Sequence, residues 1–344
     1  TYHIMSGKPP ATSFHELTTK MEAQHYLNIR EDSDTAPEEL CELIHFCTAQ
    51  NYQNRYDSVD EFLEQLDAYE NKITLPDNEY SGNPLDAKSG ARLQGGYEVT
   101  QRLGKGSTAV AFLVNKGQQE QVLKLANKPA NNDRIEAEFN CLRKLKHELI
   151  VEAYDLVTID GLRGFTMKRA GKNTLAEEVR QLGRLQLELL SRYGNDLLEI
   201  VDALEKVGIA HRDIKPDNIG IGSAAAKGRY RLQLFDFSLT GVSLENIMAG
   251  TPPYRDPFLS RPERGRWDSA AERFSVAMTL FEMATGNAKF ANWEGGYHSG
   301  NEVTIDTESF ESSVRDPLTV FFTRALRNDA RKRFDNAELM RAAW

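Results

Sequence analysis

In the run His211-Arg212-Asp213-Ile214-Lys215-Pro216-Asp217-Asn218, a carboxylate, an ammonium and a carboxamide share one short stretch. These groups suit the transfer of a phosphoryl group from a nucleotide to a hydroxyl, a reaction that needs positioning and charge neutralisation more than covalent help. Asp213 can orient the attacking hydroxyl and accept its proton, and Lys215 can neutralise charge on the transferred group. Asn218, five residues after Asp213, can hold a magnesium ion. A polar surface loop draws on similar residues, because Asp, Asn and Pro are common turn formers. The number of fixed positions in one run favours chemistry over a plain turn.

The elements that would position this run are legible on either side. Tyr97 to Val114 reads as strand, glycine turn, strand, with Gly104, Lys105, Gly106, Ser107, Thr108 and Ala109 at the turn. Two glycines let backbone N–H groups approach phosphates, although a simple hairpin looks similar. Val122 to Ala126 is an apolar strand interrupted by Lys124. That lysine is either an edge-strand device against aggregation or a group reaching the α- and β-phosphates, steadied by a carboxylate. Glu138 is the candidate partner, on a helix striped by Leu142 and Leu145, with Glu136 as a nearby competitor. Leu190, Tyr193, Leu197, Val201 and Leu204 mark a long helix that stops at Gly208. Arg231 to Phe235 is then a strand delivering Asp236-Phe237-Ser238. Asp236 stands eighteen residues after Asn218 on a returning hairpin, a position that suits a second magnesium ligand. Thr251, in Gly250-Thr251-Pro252-Pro253-Tyr254, is expected to bridge Asp213 and Lys215 through its hydroxyl. Thr240, Ser243 and Thr251 are the phosphorylation candidates of this stretch.

At 344 residues the chain is long enough for two or more core-bearing units, and 40% hydrophobic with 27% charged residues is ordinary for a globular protein. A net charge of −9 argues against a broad nucleic-acid or anionic-membrane surface. No apolar run is long enough to span a bilayer, and no basic-apolar leader opens the chain. Cys41, Cys47 and Cys141 lack metal spacing and read as small hydrophobes in a reducing, cytoplasmic compartment. The chain opens at Thr1 on what looks like the middle of a folded unit, the expectation for a fragment of a longer polypeptide.

A repeat accounts for that opening. Leu40, Leu43, Ile44 and Cys47 form a helical stripe that recurs at Leu318, Phe321, Phe322 and Ala325, each 278 positions later. Arg55-Tyr56-Asp57-Ser58 corresponds to Arg333-Phe334-Asp335-Asn336, and Phe62 to Met340, with Ser58 and Asn336 as N-cap residues. Tyr2-His3-Ile4-Met5-Ser6-Gly7 matches Phe281-Glu282-Met283-Ala284-Thr285-Gly286 at a spacing of 279. Two unrelated amphipathic helices would share a stripe; they would not share so long a register. The reading is a duplicated unit, with its first copy cut to a tail at 1–70, a linker at 71–91 and a complete copy at 92–344.

The order of glycine turn, Lys124, Glu138, His-Arg-Asp loop, Asp236, Gly-Thr-Pro and Arg333 resembles eukaryotic-type (Hanks-type) bacterial Ser/Thr protein kinases over residues 92–344. Lys215 in the catalytic loop is the feature similar to Ser/Thr rather than Tyr kinases. The resemblance implies an α+β, bilobal protein-kinase fold. A small β-rich N-lobe (92–167) with one key helix would face a large helical C-lobe (168–344), preceded by a mostly helical segment resembling the end of another kinase C-lobe. It implies ATP and Mg2+ as cofactors, with Ala111 and Val122 roofing the adenine, Met167 as gatekeeper and Lys168 to Ala170 as hinge. The stretches Asp256-Pro257-Phe258-Leu259, Trp267 to Phe274 and Thr279 to Gly286 resemble PglW-type kinases, large bacterial proteins of phage-growth-limitation and BREX-like antiviral systems. The partners so implied are protein substrates, the kinase itself as a substrate, and other components of a defence system, with no membrane and no direct nucleic-acid contact.

Four positions depart from the family pattern. Ser238 replaces the glycine after Asp-Phe and removes easy access to positive φ. Ala109 replaces the third glycine of the phosphate loop. Phe258 stands where a glutamate usually pairs with Arg333, leaving Asp256 and Glu272 as candidate substitutes. Gly220 stands where an aliphatic side chain normally floors the adenine, so weaker nucleotide affinity is expected. These departures motivate the alternative of a pseudokinase, a nucleotide-binding scaffold with an allosteric role. A small-molecule phosphotransferase shares the fold but usually lacks the Arg-Asp-x-Lys arrangement. Arg212 beside Asp213 suggests a loop ordered by a phosphate on Thr240 or Ser243, with constitutive ordering as the rival.

Overall fold

The computed structural model describes residues 2–33, 36–56, 58–63, 65–66, 82–223 and 230–344. Residues 71–81 of the expected linker, residues 67–70 of the expected tail, Thr1 and Asp57 lie outside the described residues. The chain divides into two compact units, residues 1–123 and 124–344.

In the first unit, helices α1 (Tyr2–Ser6), α2 (Phe14–Gln24) and α3 (Glu38–Thr48) come before the strands. The stripe read on α3 is its core face: Leu40 and Ile44 pack with Tyr2, Ile29 and Ala36 in a small apolar cluster. Strands β1 (Arg92–Leu93), β2 (Tyr97–Lys105) and β3 (Ala109–Lys116) follow in antiparallel pairs. Val99, Val110, Phe112 and Val114 are buried, as half-apolar β-formers on a pleated surface should be. The β2–β3 register runs from Glu98↔Asn115 to Lys105↔Val110, so the glycine turn is a hairpin tip. The division between the units falls within β4 (Gln119–Ala126), after Leu123.

In the second unit, α4 (Asn132–Lys144) leads to the hairpin of β5 (Ala153–Ile159) and β6 (Leu162–Met167). Asp160 and Gly161 turn it with φ of 49° and 79°, the two-residue turn whose twist matches the strands. Helix α5 (Leu175–Leu182) starts at a capping box of Thr174 and Glu177. Helix α6 (Leu187–Lys206) buries the stripe of Leu190, Tyr193, Leu197, Val201 and Leu204, and Gly208 follows at φ 67°. Strands β7 (Ile219–Ser223) and β8 (Tyr230–Leu234) pair antiparallel. Helix α7 (Ser269–Thr285) is buried at every residue from Ala271 to Phe281, the profile of a helix enclosed on all sides. A small hairpin of β9 (Ala291–Trp293) and β10 (Val303–Ile305) precedes α8 (Arg315–Ala325) and α9 (Ala337–Ala343). Phe281, Phe310, Phe321, Phe322 and Trp344 form a chain of ring contacts that joins α7, α8 and the C-terminus.

Positions 278 or 279 apart share individual hydrogen bonds within each unit. Gly7 N–H donates to His3 O at 3.0 Å and Gly286 N–H to Glu282 O at 2.7 Å, each ending a helix. Asn28 caps a 3-10 turn at Ile29–Glu31, as Asp306 caps one at Thr307–Ser309. Asn51 accepts from Gln53 N–H as Asp329 accepts from Arg331 N–H. Arg55 Nε donates to Ala49 O at 2.7 Å, and Arg333 Nε to Arg327 O at 2.6 Å. Ser58 accepts from Glu61 N–H at 3.0 Å and Asn336 from Leu339 N–H at 2.8 Å. The two stretches differ between these points, with α2 in the first and the β9–β10 hairpin in the second.

Candidate active site

Lys124 sits on β4 among buried neighbours, and two carboxylates meet its ammonium. Glu138 Oε1 from α4 is 2.8 Å away and Asp236 Oδ1, just past β8, is 2.7 Å away. Glu136, the competitor, pairs with Arg163 instead, at 3.6 Å. Burial alone would pull Lys124 down; Asp236 and Glu138 override it and hold the ammonium well above its ordinary range. Burial would likewise push Asp236 up, but the Lys124 charge and the Ser238 hydroxyl hold its carboxyl well below the usual range. Glu138, at 1% exposure, is pushed up by burial with Lys124 opposing. Asp236 reaches this position with φ 64°, so the left-handed residue is the aspartate and not Ser238. Ser238 therefore strains nothing by lacking glycine's freedom, and its hydroxyl helps to seat Asp236.

The 211–218 run closes on itself and on Thr251. Thr251 Oγ1 donates to Asp213 Oδ1 at 2.8 Å and accepts from Lys215 Nζ at 2.8 Å. Lys215 Nζ is also 3.2 Å from Asp213 Oδ2. Asn218 Nδ2 donates to the Asp213 backbone O at 2.8 Å and to its Oδ2 at 3.0 Å. The pairing of Ile219 with Leu234 and the Phe235 N–H bond to Asn218 O, 3.0 Å, bring Asn218 beside the strand that ends at Asp236.

The backbone of the run is held from below. Buried Glu272 on α7 accepts from His211 N–H at 2.7 Å, from Arg212 N–H at 3.1 Å and from Trp267 Nε1 at 2.9 Å. Burial pushes the Glu272 carboxyl up while His211 and these N–H groups oppose it. His211 accepts from Asp213 N–H on Nδ1 at 3.2 Å, which assigns its proton to Nε2, the donor to Phe235 O at 2.9 Å. Its ring also meets Phe237 edge-on. Glu272 thus serves the catalytic run, and the partner of Arg333 is the other candidate, Asp256. Arg333 Nη1 and Nη2 donate to the two Asp256 oxygens at 2.5 and 3.2 Å, and Arg264 Nη1 adds a third bond at 2.6 Å. Phe258 contributes a ring beneath the Arg333 guanidinium, 5.7 Å from its centroid. One signal for Glu272 was present in the sequence: it is a carboxylate in a run of residues otherwise suited to a wholly buried helix, where a charge needs a purpose.

Met167 ends β6 and is buried, and Lys168 N–H donates to Glu152 O at 2.9 Å. Ala170 then lies directly against β7. A Cβ on Gly220 would sit 2.4 Å from the Ala170 Cβ, and one on Gly171, where φ is 145°, would sit 2.1 Å from Ile221 O. Ile221 N–H donates to Asn173 O at 3.0 Å, and Thr174 bridges Gly220. The Ala170 methyl therefore takes the space that a side chain at Gly220 would enter.

The glycine turn of the first unit forms its own small structure. Gly106 N–H donates to Ala109 O at 2.8 Å. A Cβ on Gly104 would meet nothing within 4 Å, and one on Gly106 only Ala109 O at 3.7 Å. Neither glycine has positive φ, so neither crowding nor backbone conformation calls for glycine there. Ala111 and Val122 lie on β3 and β4, with Val122 buried.

The oxygen donors suit a hard divalent cation. Asn218 spends its amide nitrogen on Asp213, which leaves the amide oxygen for a metal, and Asp236 stays ionised. Among the described residues no cluster of three or more His, Cys, Asp or Glu is placed to hold a metal. A magnesium ion here would take its remaining ligands from phosphates and water.

The model of the protein kinase domain family matches residues 97–344. Over its full length the chain is 36% identical to "Probable kinase PglW" of Streptomyces coelicolor, of which it spans 25%. Over 74% of its length it is 26% identical to CBL-interacting serine/threonine-protein kinase 12 of Arabidopsis thaliana, of which it spans 53%. The chain thus spans a quarter to about half of these relatives. Among solved structures, the PknI kinase domain of Mycobacterium tuberculosis superposes with a TM-score of 0.57 at 21% identity. That match covers 75% of this chain and 97% of the other.

Proposed function

The chain belongs to the protein kinase family and carries a serine/threonine kinase domain; from that premise we propose that Asp213, Lys215, Lys124 and Glu138 perform ATP- and Mg2+-dependent phosphorylation of Ser or Thr hydroxyls on proteins. The observation that carries the reading is the closed set of bonds around Thr251. It fixes the Asp213 carboxylate and the Lys215 ammonium within 3.2 Å of each other before any substrate arrives. Preorganisation of this kind is what phosphoryl transfer draws on.

In this reading Asp213 aligns the acceptor hydroxyl and takes its proton, while Lys215 sits against the charge of the phosphoryl group in transit. Thr251 holds the two in register. Lys124, held by Glu138, would bind the α- and β-phosphates. Asn218 and Asp236 would hold magnesium, which when bound neutralises phosphate charge. Gly104, Lys105, Gly106 and Ser107 would cover the phosphates; glycines that no packing demands support this part. Ala111, Val122, Met167, Lys168 and Ala170 would enclose the adenine.

The same proposal includes the architecture. Residues 1–70 form a segment like the end of a kinase C-lobe and 92–344 the kinase domain, a reading supported by the hydrogen bonds repeated at a spacing of 278, as from Arg55 to Arg333. The likeness to PglW supports a place in antiphage defence, with other components of that system as partners. No helix among the described residues is long and apolar enough to cross a membrane. The direct test is transfer of the γ-phosphate of ATP, in Mg2+, to acceptor proteins and to the chain itself. Asp213→Asn and Lys124→Ala should each lower the rate at least about 100-fold. Unchanged rates in both variants would overturn the assignment of roles.

A further inference from the structure

The segment that follows Asp236 is fastened to the 211–218 run by contacts to its backbone carbonyls. Arg212 is 1% exposed, and its backbone, at φ 71°, is held by Glu272 from one side. Its guanidinium extends under the segment and donates only to backbone carbonyls there. Nη1 donates to Val242 O at 2.6 Å and Ser243 O at 3.1 Å, and Nη2 to Asn246 O at 2.7 Å. Trp267 lies alongside with its ring centroid 5.4 Å from the guanidinium carbon. Further along, Gly250, at φ 97°, brings the chain so close that a Cβ there would stand 2.5 Å from Arg212 O.

The hydroxyls that could carry a phosphate are engaged elsewhere. Thr240 Oγ1 donates to Phe237 O at 2.8 Å, closing a turn with its own N–H on the same carbonyl at 3.1 Å. Ser243 Oγ donates to Glu245 Oε2 at 2.6 Å, so a phosphate on Ser243 would face a carboxylate. Three Arg212 hydrogen bonds are spent on neutral acceptors, while its buried Nε has no partner among the described residues.

We propose that Arg212 is a positioning residue that orders the segment 238–250 through backbone carbonyls alone, so that the site assembles without phosphorylation of Thr240 or Ser243. This rests on the kinase reading for its effect on rate, but not for the ordering itself. The experiment is therefore hydrogen exchange across residues 239–250 together with ATP-dependent transfer to casein. Both are measured on the full chain after phosphatase treatment, with zero phosphate verified by intact mass.

The expected result is protection of these amides on the order of 100-fold in the phosphate-free chain. Transfer rates should then agree within about twofold for treated protein, untreated protein and the Thr240→Ala/Ser243→Ala double variant. Arg212→Lys, which offers a single ammonium for three carbonyls, should abolish the local protection. It should raise the KM for casein while leaving the KM for ATP in place, a split that general destabilisation would not produce. Fast exchange of 239–250 in the phosphate-free chain, or activity that returns only on rephosphorylation, overturns the proposal. Protection without transfer to any acceptor leaves the clamp standing and removes the kinase reading instead.

Discussion

Replacing Asp256 by alanine tests whether the buried pair with Arg333 is as central to stability as its geometry implies. The Asp256 side chain is 0% exposed and the Arg333 side chain 1%. Alanine would leave Arg333 with two backbone carbonyls, Arg327 O at 2.6 Å and Ala270 O at 3.1 Å, and the faces of Phe258 and Phe274. Arg264 suffers less, because it keeps two bonds to the half-exposed Asp268. Breaking a buried pair at one partner costs roughly 3–5 kcal/mol, chiefly because it strands the other charge. With Arg264 satisfied, about 3–4 kcal/mol is expected, and at about 2–4 °C per kcal/mol for a unit of this size the melting temperature should fall by roughly 6–16 °C. The assay is thermal and urea unfolding followed by circular dichroism, at neutral pH. Asp256→Ala/Arg333→Met should recover most of the loss, since an apolar replacement strands no guanidinium at that position. A shift under about 2 °C for Asp256→Ala, or a double variant less stable than the single, would refute the argument.

The same carboxylate sets an acid limit. Asp256 is held below the ordinary range by Arg333 and Arg264 against the opposing effect of burial, so its contribution is full above the unfolded value near 3.9 and is lost as pH falls through its folded value. Wild type should therefore lose stability below about pH 4 more steeply than Asp256→Asn in acid-unfolding curves. Thr251→Val removes the hydroxyl shared by Asp213 and Lys215 and should lower the transfer rate about 100-fold, with the KM for ATP little changed. Thr251→Ser should restore most of that rate in the same steady-state assay. Gly220→Ala places a methyl 2.4 Å from the Ala170 Cβ and should cost about 1–3 kcal/mol by overpacking, read as a lower urea midpoint. Adding Ala170→Gly should reverse it.

Two sets of contacts were legible in the sequence, Lys124 with Glu138 and Thr251 with Asp213 and Lys215, because the resemblance restricts residue type and spacing together, and the geometry brings each set within hydrogen-bonding reach. The stripe at Leu40, Leu43 and Ile44 was legible because helical burial imposes a period. Less legible was which carboxylate serves which cation. Asp256 and Glu272 are both acidic residues near Arg333 in the family pattern, and only the fold shows Glu272 turned toward backbone N–H groups and Asp256 toward the guanidinium. The neighbour of Gly220 was hidden for a related reason: a missing side chain reads as a gap in one dimension, and only the fold places the Ala170 methyl where that side chain would stand. The fate of Arg212 also depends on backbone carbonyls, which every residue has and no residue type announces.

The close crossing of residues 170–174 over β7 has a mechanical consequence. Ala170 touches Gly220 with no slack, Asn173 O holds Ile221 N–H, and Asn218 immediately precedes the strand so gripped. Its partner β8 leads straight to Asp236. If residues 168–170 take a base and Asn218 and Asp236 take a cation, as proposed, this contact would join the two as one lever, and by reciprocity a nucleotide that fails to engage the 168–170 edge should also bind magnesium less tightly. Titrating Mg2+ against ATP and against inorganic triphosphate measures that coupling, and equal metal affinities in the two titrations would show the lever to be slack.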